Sequence, residues 1–176
     1  PLDRGTSPVA VIGPNAHDVE VLLGNYNGTP SAAVTPLDGI RAKLGADADV
    51  RYAQGCEVMG RSTDGIAEAV EAARGARVVV ACVGLSQRVE GEEGASDLAD
   101  RTGLGLPGVQ QRLLEAVHAT GVPLVVVLLN GSPVDVRWAD EHAAAIVEAW
   151  YPGEEGGTAL ADSAPAVGTQ GHVETV

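Results

Sequence analysis

Two stretches of this chain, Val78–Val83 and Leu124–Leu129, are apolar at every position. A strand wetted on one face alternates apolar and polar residues, so an unbroken apolar run reads as a strand in a sheet covered on both faces. Val9–Ile12, set between Pro8 and Gly13-Pro14, reads the same way, as does Ala144–Trp150; Val50–Ala53 is a further candidate strand. Helical patterns lie between them. Thr35 can cap a helix with Pro36 at its first position and Asp38 in its first turn; Leu37, Ile40 and Leu44 then face inward and Gly45 stops it. Thr63 or Asp64 opens a second helix with Ile66, Ala69, Val70 and Ala73 on one face, ending near Gly75. Pro107 starts a third, with Val109, Leu113, Leu114 and Val117 on its apolar face and Gly121 past its end. Strands alternating with helices imply parallel βαβ units. The expected fold is α/β, a three-layer α/β/α sandwich with a mostly parallel central sheet, over residues 1–162. Residues 163–176 are small and polar with no period of either kind, and are expected to form a poorly ordered tail.

Charge and residue usage narrow the function classes. The chain has 11 Lys+Arg against 24 Asp+Glu, a formal charge of −13, and Lys43 is its single lysine. Such a field repels nucleic acid and anionic membrane surfaces alike. No apolar run approaches the ~20 residues a membrane helix needs. No phosphate loop, dinucleotide-binding glycine triplet or GxSxG elbow is present, which disfavours a nucleotide-binding domain and leaves a hydrolase triad unsupported. His17, His118, His142 and His172 lie far apart, none at metal-ligand spacing, so neither a metal nor a cofactor is expected. His118, inside a helical pattern, is given no role. Cys56 and Cys82 are too few for a disulfide framework and read as two buried thiols, with a disulfide between them as the alternative. The N-terminal Pro-Leu-Asp-Arg-Gly carries no initiator Met and no leader pattern, and the chain is expected to be a piece of a longer one.

Open parallel sheets bind ligands outside the carboxyl ends of their strands. Four loops follow the expected strands: Gly13–Ala16, the long segment Leu85–Leu106, Asn130–Pro133 and Tyr151–Gly157. Three are short and rich in Gly and Pro. The long one carries Arg88, Glu90, Glu92, Glu93, Asp97, Asp100 and Arg101. A connection of this length inside a compact domain is uncommon and usually functional or disordered. Its carboxylates suit a general acid or a hydroxyl-binding group; on composition alone, a solvated acidic surface is the simpler reading.

Several segments, in order, resemble the C-terminal α/β-sandwich domain of family three glycoside hydrolases, in its bacterial β-xylosidase and β-glucosidase branch. They are Val9-Ala-Val-Ile-Gly-Pro-Asn-Ala16, Leu23-Gly-Asn-Tyr-Asn-Gly-Thr-Pro-Ser31, Thr35-Pro-Leu-Asp-Gly-Ile40 and Tyr52-Ala-Gln-Gly-Cys56. Gly84–Glu93, Asp100-Arg-Thr102, Leu106-Pro107 with Gln110, and Ala149–Gly157 follow. The resemblance implies a second domain of a retaining, exo-acting β-glycosidase, acting on a β-linked oligosaccharide or aryl glycoside. An N-terminal barrel domain would carry the nucleophile. The acid/base carboxylate would come from Val89–Glu93, with Glu90 as first choice and Glu92 and Glu93 as alternates. Asp100 and Arg101 are implied substrate contacts. In the retaining mechanism a carboxylic acid protonates the leaving oxygen and then, as carboxylate, activates water, with the nucleophile ~5–5.5 Å away. A non-catalytic accessory domain sharing the fold is the alternative. The chain departs from the family pattern after Asp162, and its Glu93–Asp100 segment is shorter than in close relatives.

Overall fold

The computed structural model describes residues 2–3, 5–90 and 101–163 and the backbone of 173–175. In chain order the elements are β1 (Val9–Ile12), a 3₁₀ turn (Glu20–Leu22), α1 (Pro36–Leu44), β2 (Val50–Ala53), α2 (Ile66–Ala73), β3 (Val78–Gly84), α3 (Gln110–His118), β4 (Leu124–Leu129), α4 (Arg137–His142), β5 (Ala145–Glu148), α5 (Gly156–Ser163) and β6 (Val173–Thr175). The strands form one sheet in the order β2-β1-β3-β4-β5-β6, every pairing parallel. The chain winds from β1 outward to β2, then returns to place β3 on the other side of β1. The exits of β1 and β3 therefore flank the switch point where such sheets open a crevice.

Both faces are covered, as the unbroken apolar runs require. Val78, Val80 and Cys82 of β3 point into one layer with Leu37, Ile40 and Leu44 of α1 and Leu160 of α5. Val79, Ala81 and Val83 point into the other, with Ala69 of α2 and Leu113, Leu114 and Val117 of α3. Cys82 lies in the first layer and Cys56 in the second, so the sheet separates the two free, buried thiols. The disulfide alternative is ruled out.

Local signals hold closely at α1. Thr35 Oγ1 accepts from the Asp38 N–H at 3.2 Å and its hydroxyl donates to the Asp38 carboxylate at 2.6 Å; Gly45 ends the helix at φ +92°. Several boundaries differ from expectation. Gly65, not Thr63 or Asp64, stands before α2, and Thr63 instead lends its carbonyl to the Ile66 N–H. Pro107–Val109 form a turn, and α3 begins at Gln110, because Gly108 at φ +62° packs its backbone onto Gly60. β5 stops at Glu148, since Trp150 takes φ +54°, outside the extended region. The last difference lies in 163–176, where Ser163 closes α5 and the backbone of 173–175 pairs with β5; the other residues of that stretch lie outside the described residues.

Candidate active site

β3 leaves the sheet through Gly84, at φ +139°, where a Cβ would stand 2.2 Å from the Leu129 carbonyl oxygen. Only glycine passes there. Fully buried Gln110 of α3 fastens this exit: its Oε1 accepts from the Gly84 N–H at 2.8 Å, and its Nε2 donates to the carbonyls of Gly84 (2.8 Å) and Val58 (2.9 Å). From the β1 side, buried Asn15 donates from Nδ2 to the Leu85 carbonyl at 2.8 Å. The chain then makes a single turn in which the Ser86 carbonyl accepts from the N–H groups of Val89 (2.8 Å) and Glu90 (3.1 Å). With Val89 buried, the turn aims Glu90 across the exits of β4 and β5.

Three donors meet the half-buried Glu90 carboxylate. Its Oε2 accepts from the Gly131 N–H at 2.7 Å and from the Tyr151 hydroxyl; its Oε1 accepts from the Ser132 hydroxyl. Gly131 has no room for a side chain, because a Cβ would stand 2.9 Å from the Tyr151 ring and 3.2 Å from Glu90 Oε2. A carboxylate oxygen offers about two lone-pair directions, so Oε2 is filled and Oε1 keeps one open. The Glu90 carbonyl accepts from Asn25 Nδ2 at 3.0 Å, and Arg88 pairs with Glu20, so the β1 exit straps the outer side of the turn.

Arg101 approaches from the far end of the long connection. Its guanidinium donates to Ser132 Oγ (3.1 Å) and to the carbonyls of Pro133 (3.3 Å) and Gly105 (3.2 Å). Ser132 thus accepts from Arg101 and donates to Glu90. A cavity of about 410 Å³ opens beside them, lined by Val89, Glu90, Arg101, Thr102, Leu104 and Ser132 among others. Burial pushes the Tyr151 phenol up, and its bond to Glu90 adds to the shift. Burial also raises Glu148, at the end of β5, against the opposing hydrogen bonds of Trp150 and Asn130.

Of the residues singled out in the sequence, Glu90 and Arg101 come together, joined through Ser132. Glu92, Glu93 and Asp100 lie outside the described residues. Gly131, Ser132 and Tyr151 carried no individual role in the sequence reading. The signal that could have found them is their place directly after strands, in two of the short loops already marked.

The family model of the glycosyl hydrolase family 3 C-terminal domain matches residues 1–164. The chain belongs to that family. It is 42% identical over 169 residues to a β-xylosidase of Formosa agariphila, a match covering 92% of this chain and 23% of that protein. A periplasmic β-glucosidase of Salmonella typhimurium is 37% identical over 184 residues, covering 92% of this chain and 23% of that protein. Among solved structures, a GH3 exo-β-xylosidase (XlnD) in complex with a xylobiose aziridine probe superposes with a TM-score of 0.80 at 35% identity, over 92% of this chain and 20% of that one. The family 3 domain thus spans about a fifth of the length of the curated relatives it matches.

Proposed function

We propose that this domain supplies the acid/base carboxylate of a retaining, exo-acting β-glycosidase acting on a β-linked xyloside or glucoside. A separate barrel domain carries the nucleophile. The observation that carries this reading is the placement of Glu90: a carboxylate at the carboxyl edge of a parallel sheet, beside a cavity, fixed by Gly131, Ser132 and Tyr151. General acid–base work needs a carboxyl group held in one direction, so that its open lone pair meets the leaving oxygen first and the attacking water afterwards. Arg101 shapes the cavity through Ser132 and presents its edge to substrate, with Asp100 beside it in sequence. A second reading is favoured by the same donors. If three partners already engage Glu90, Glu90 anchors the loop and Glu92 or Glu93 carries the proton.

The edge around the site supports a partner domain. Val19, Tyr26, Met59, Leu104 and Trp150, the exposed large apolar residues among the described ones, all lie in loops that follow strands, on the same carboxyl edge as Glu90. Apolar groups collected on one edge suit burial against another protein surface.

The test is an enzyme in which a family barrel is joined to this domain. Glu90→Gln is expected to slow hydrolysis of a xylo-oligosaccharide by about 10²–10⁴-fold, the usual share of general acid–base catalysis. Activated aryl glycosides should lose less in the first step, and azide should restore turnover. Azide rescue of Glu92→Gln or Glu93→Gln instead selects the second reading. If all three variants are silent, the domain is a non-catalytic accessory and the proposal falls.

A further inference from the structure

The donors that hold Glu90 come from two different loops, Gly131 and Ser132 after β4 and Tyr151 after β5, and one carboxylate lies beneath both. We propose that Glu148 is a positioning residue for Glu90, tying the exits of β4 and β5 together under those donors. This rests on the reading that the Glu90 loop serves catalysis, whichever of its carboxylates carries the proton.

Glu148 ends a strand whose preceding residues, Ala145–Val147, are apolar and buried. Packing alone gives no reason for a carboxylate there. Its Oε1 accepts from the Trp150 N–H at 3.2 Å, and its Oε2 lies 3.5 Å from Asn130 Nδ2, a long hydrogen bond. Asn130 is 1% exposed and also donates from Nδ2 to the Ser132 carbonyl at 3.1 Å, bracing the turn that offers Gly131 and Ser132 to Glu90. On the other side, Trp150 is a bulky residue in the left-handed region, a conformation that persists only when its surroundings enforce it. The bond from its N–H to Glu148 is such a constraint, and the bend at Trp150 turns the Tyr151 side chain back toward Glu90.

The electrostatics agree with a role other than stabilisation. Burial holds the Glu148 carboxyl above its ordinary range, and the nearby Glu90 charge adds to the rise. Nearby, the Tyr151 hydroxyl donates to Glu90 and feels the Arg101 charge, and β6 is registered with Thr175 opposite Glu148 and Glu174 opposite Val147. A carboxyl raised by folding favours the folded state below its unfolded value, about 4.3, and gives that up as pH rises through its folded value. The ionised form is therefore retained at the expense of stability.

Glu148→Gln and Glu148→Ala in this chain test the tie without any assay of catalysis. Gln can still accept from the Trp150 N–H, but its NH₂ group meets the Asn130 NH₂ donor. In Glu148→Gln the Gly131 amide should exchange with solvent about tenfold faster, the scale of one hydrogen bond, while the Trp150 amide keeps its protection. In Glu148→Ala both should exchange faster. The thermal midpoint of Glu148→Gln at neutral pH should equal or exceed the wild type. In a barrel-containing enzyme, Glu148→Ala should lower kcat by about 10–10²-fold at nearly constant KM, the size of a misplaced catalytic group. Unchanged Gly131 exchange in Glu148→Gln overturns the proposal, as does acceleration spread evenly along β4 and β5. Either result can be read even if no glycosidase activity is found.

Discussion

Removing the Tyr151 hydroxyl takes one of three donors off the Glu90 carboxylate. Tyr151→Phe is expected to lower stability at neutral pH by roughly 1–2 kcal/mol, in the lower range for a hydrogen bond to a charged partner. The pH dependence has a definite sign. Burial and then Glu90 raise the phenol, so the folded chain keeps this proton where an unfolded chain releases it. The wild-type advantage is complete below about pH 10, the ordinary tyrosine value, and is lost as pH rises beyond it. Urea midpoints of the two proteins should therefore converge in the alkaline range; a gap that widens there contradicts the assignment. Gln110 offers a second case. Truncation to Ala would leave the Gly84 N–H and two carbonyls without their partner, and should cost about 2–4 kcal/mol at unchanged denaturant slope.

At the scale of elements, α1 and α5 approach so closely that each presents a glycine to the other's surroundings. A Cβ on Gly39 would stand 2.0 Å from the Gly157 carbonyl oxygen, and one on Gly157 would stand 2.0 Å from that of Thr35. Backbone cannot yield as a side chain does, so Gly39→Ala or Gly157→Ala should destabilise by about 2 kcal/mol or more. Gly28→Ala, with nothing within 4 Å of its Cβ position, should stay within about 0.5 kcal/mol in the same denaturation series. The same contact explains what could and could not be read from the sequence. α1 was legible because Thr35, Pro36 and Gly45 are local signals. α5 was not, because Gly156 and Gly157 are poor helix formers kept by a tertiary contact that no local pattern reveals. At its C-terminal end β5 read two residues too long because apolar Ala149 and Trp150 look like strand, while their backbone turns to serve the Tyr151 loop. The site divides in the same way. The strand-end rule leads to the long segment and the family resemblance to Glu90 within it, but the Glu90 donors lie 41, 42 and 61 residues away, and only the sheet order brings them near.

For the molecule as a whole, the apolar carboxyl edge and the proposed placing of the nucleophile on a separate barrel lead to one expectation. The 176-residue chain alone should hydrolyse no aryl β-xyloside or β-glucoside above a mock preparation, since one carboxylic acid can neither form nor resolve a glycosyl-enzyme intermediate. Met59→Asp and Leu104→Asp, both on exposed side chains, should leave its unfolding midpoint nearly unchanged while weakening its association with a family barrel by about tenfold or more. Isothermal titration of barrel against domain would decide this, and unaltered affinity in both variants would remove that edge from the contact. The two cysteines have a practical use of their own. Burial pushes the Cys82 thiol up to about 12, in the middle strand layer, and the Cys56 thiol up to about 11 in a loop on the opposite face. Alkylating agents attack the thiolate, so each residue reacts only when its own layer opens. The chain thus carries two independent clocks: Cys56 times the loosening of the helical layer of α2 and α3, and Cys82 times that of the layer of α1 and α5.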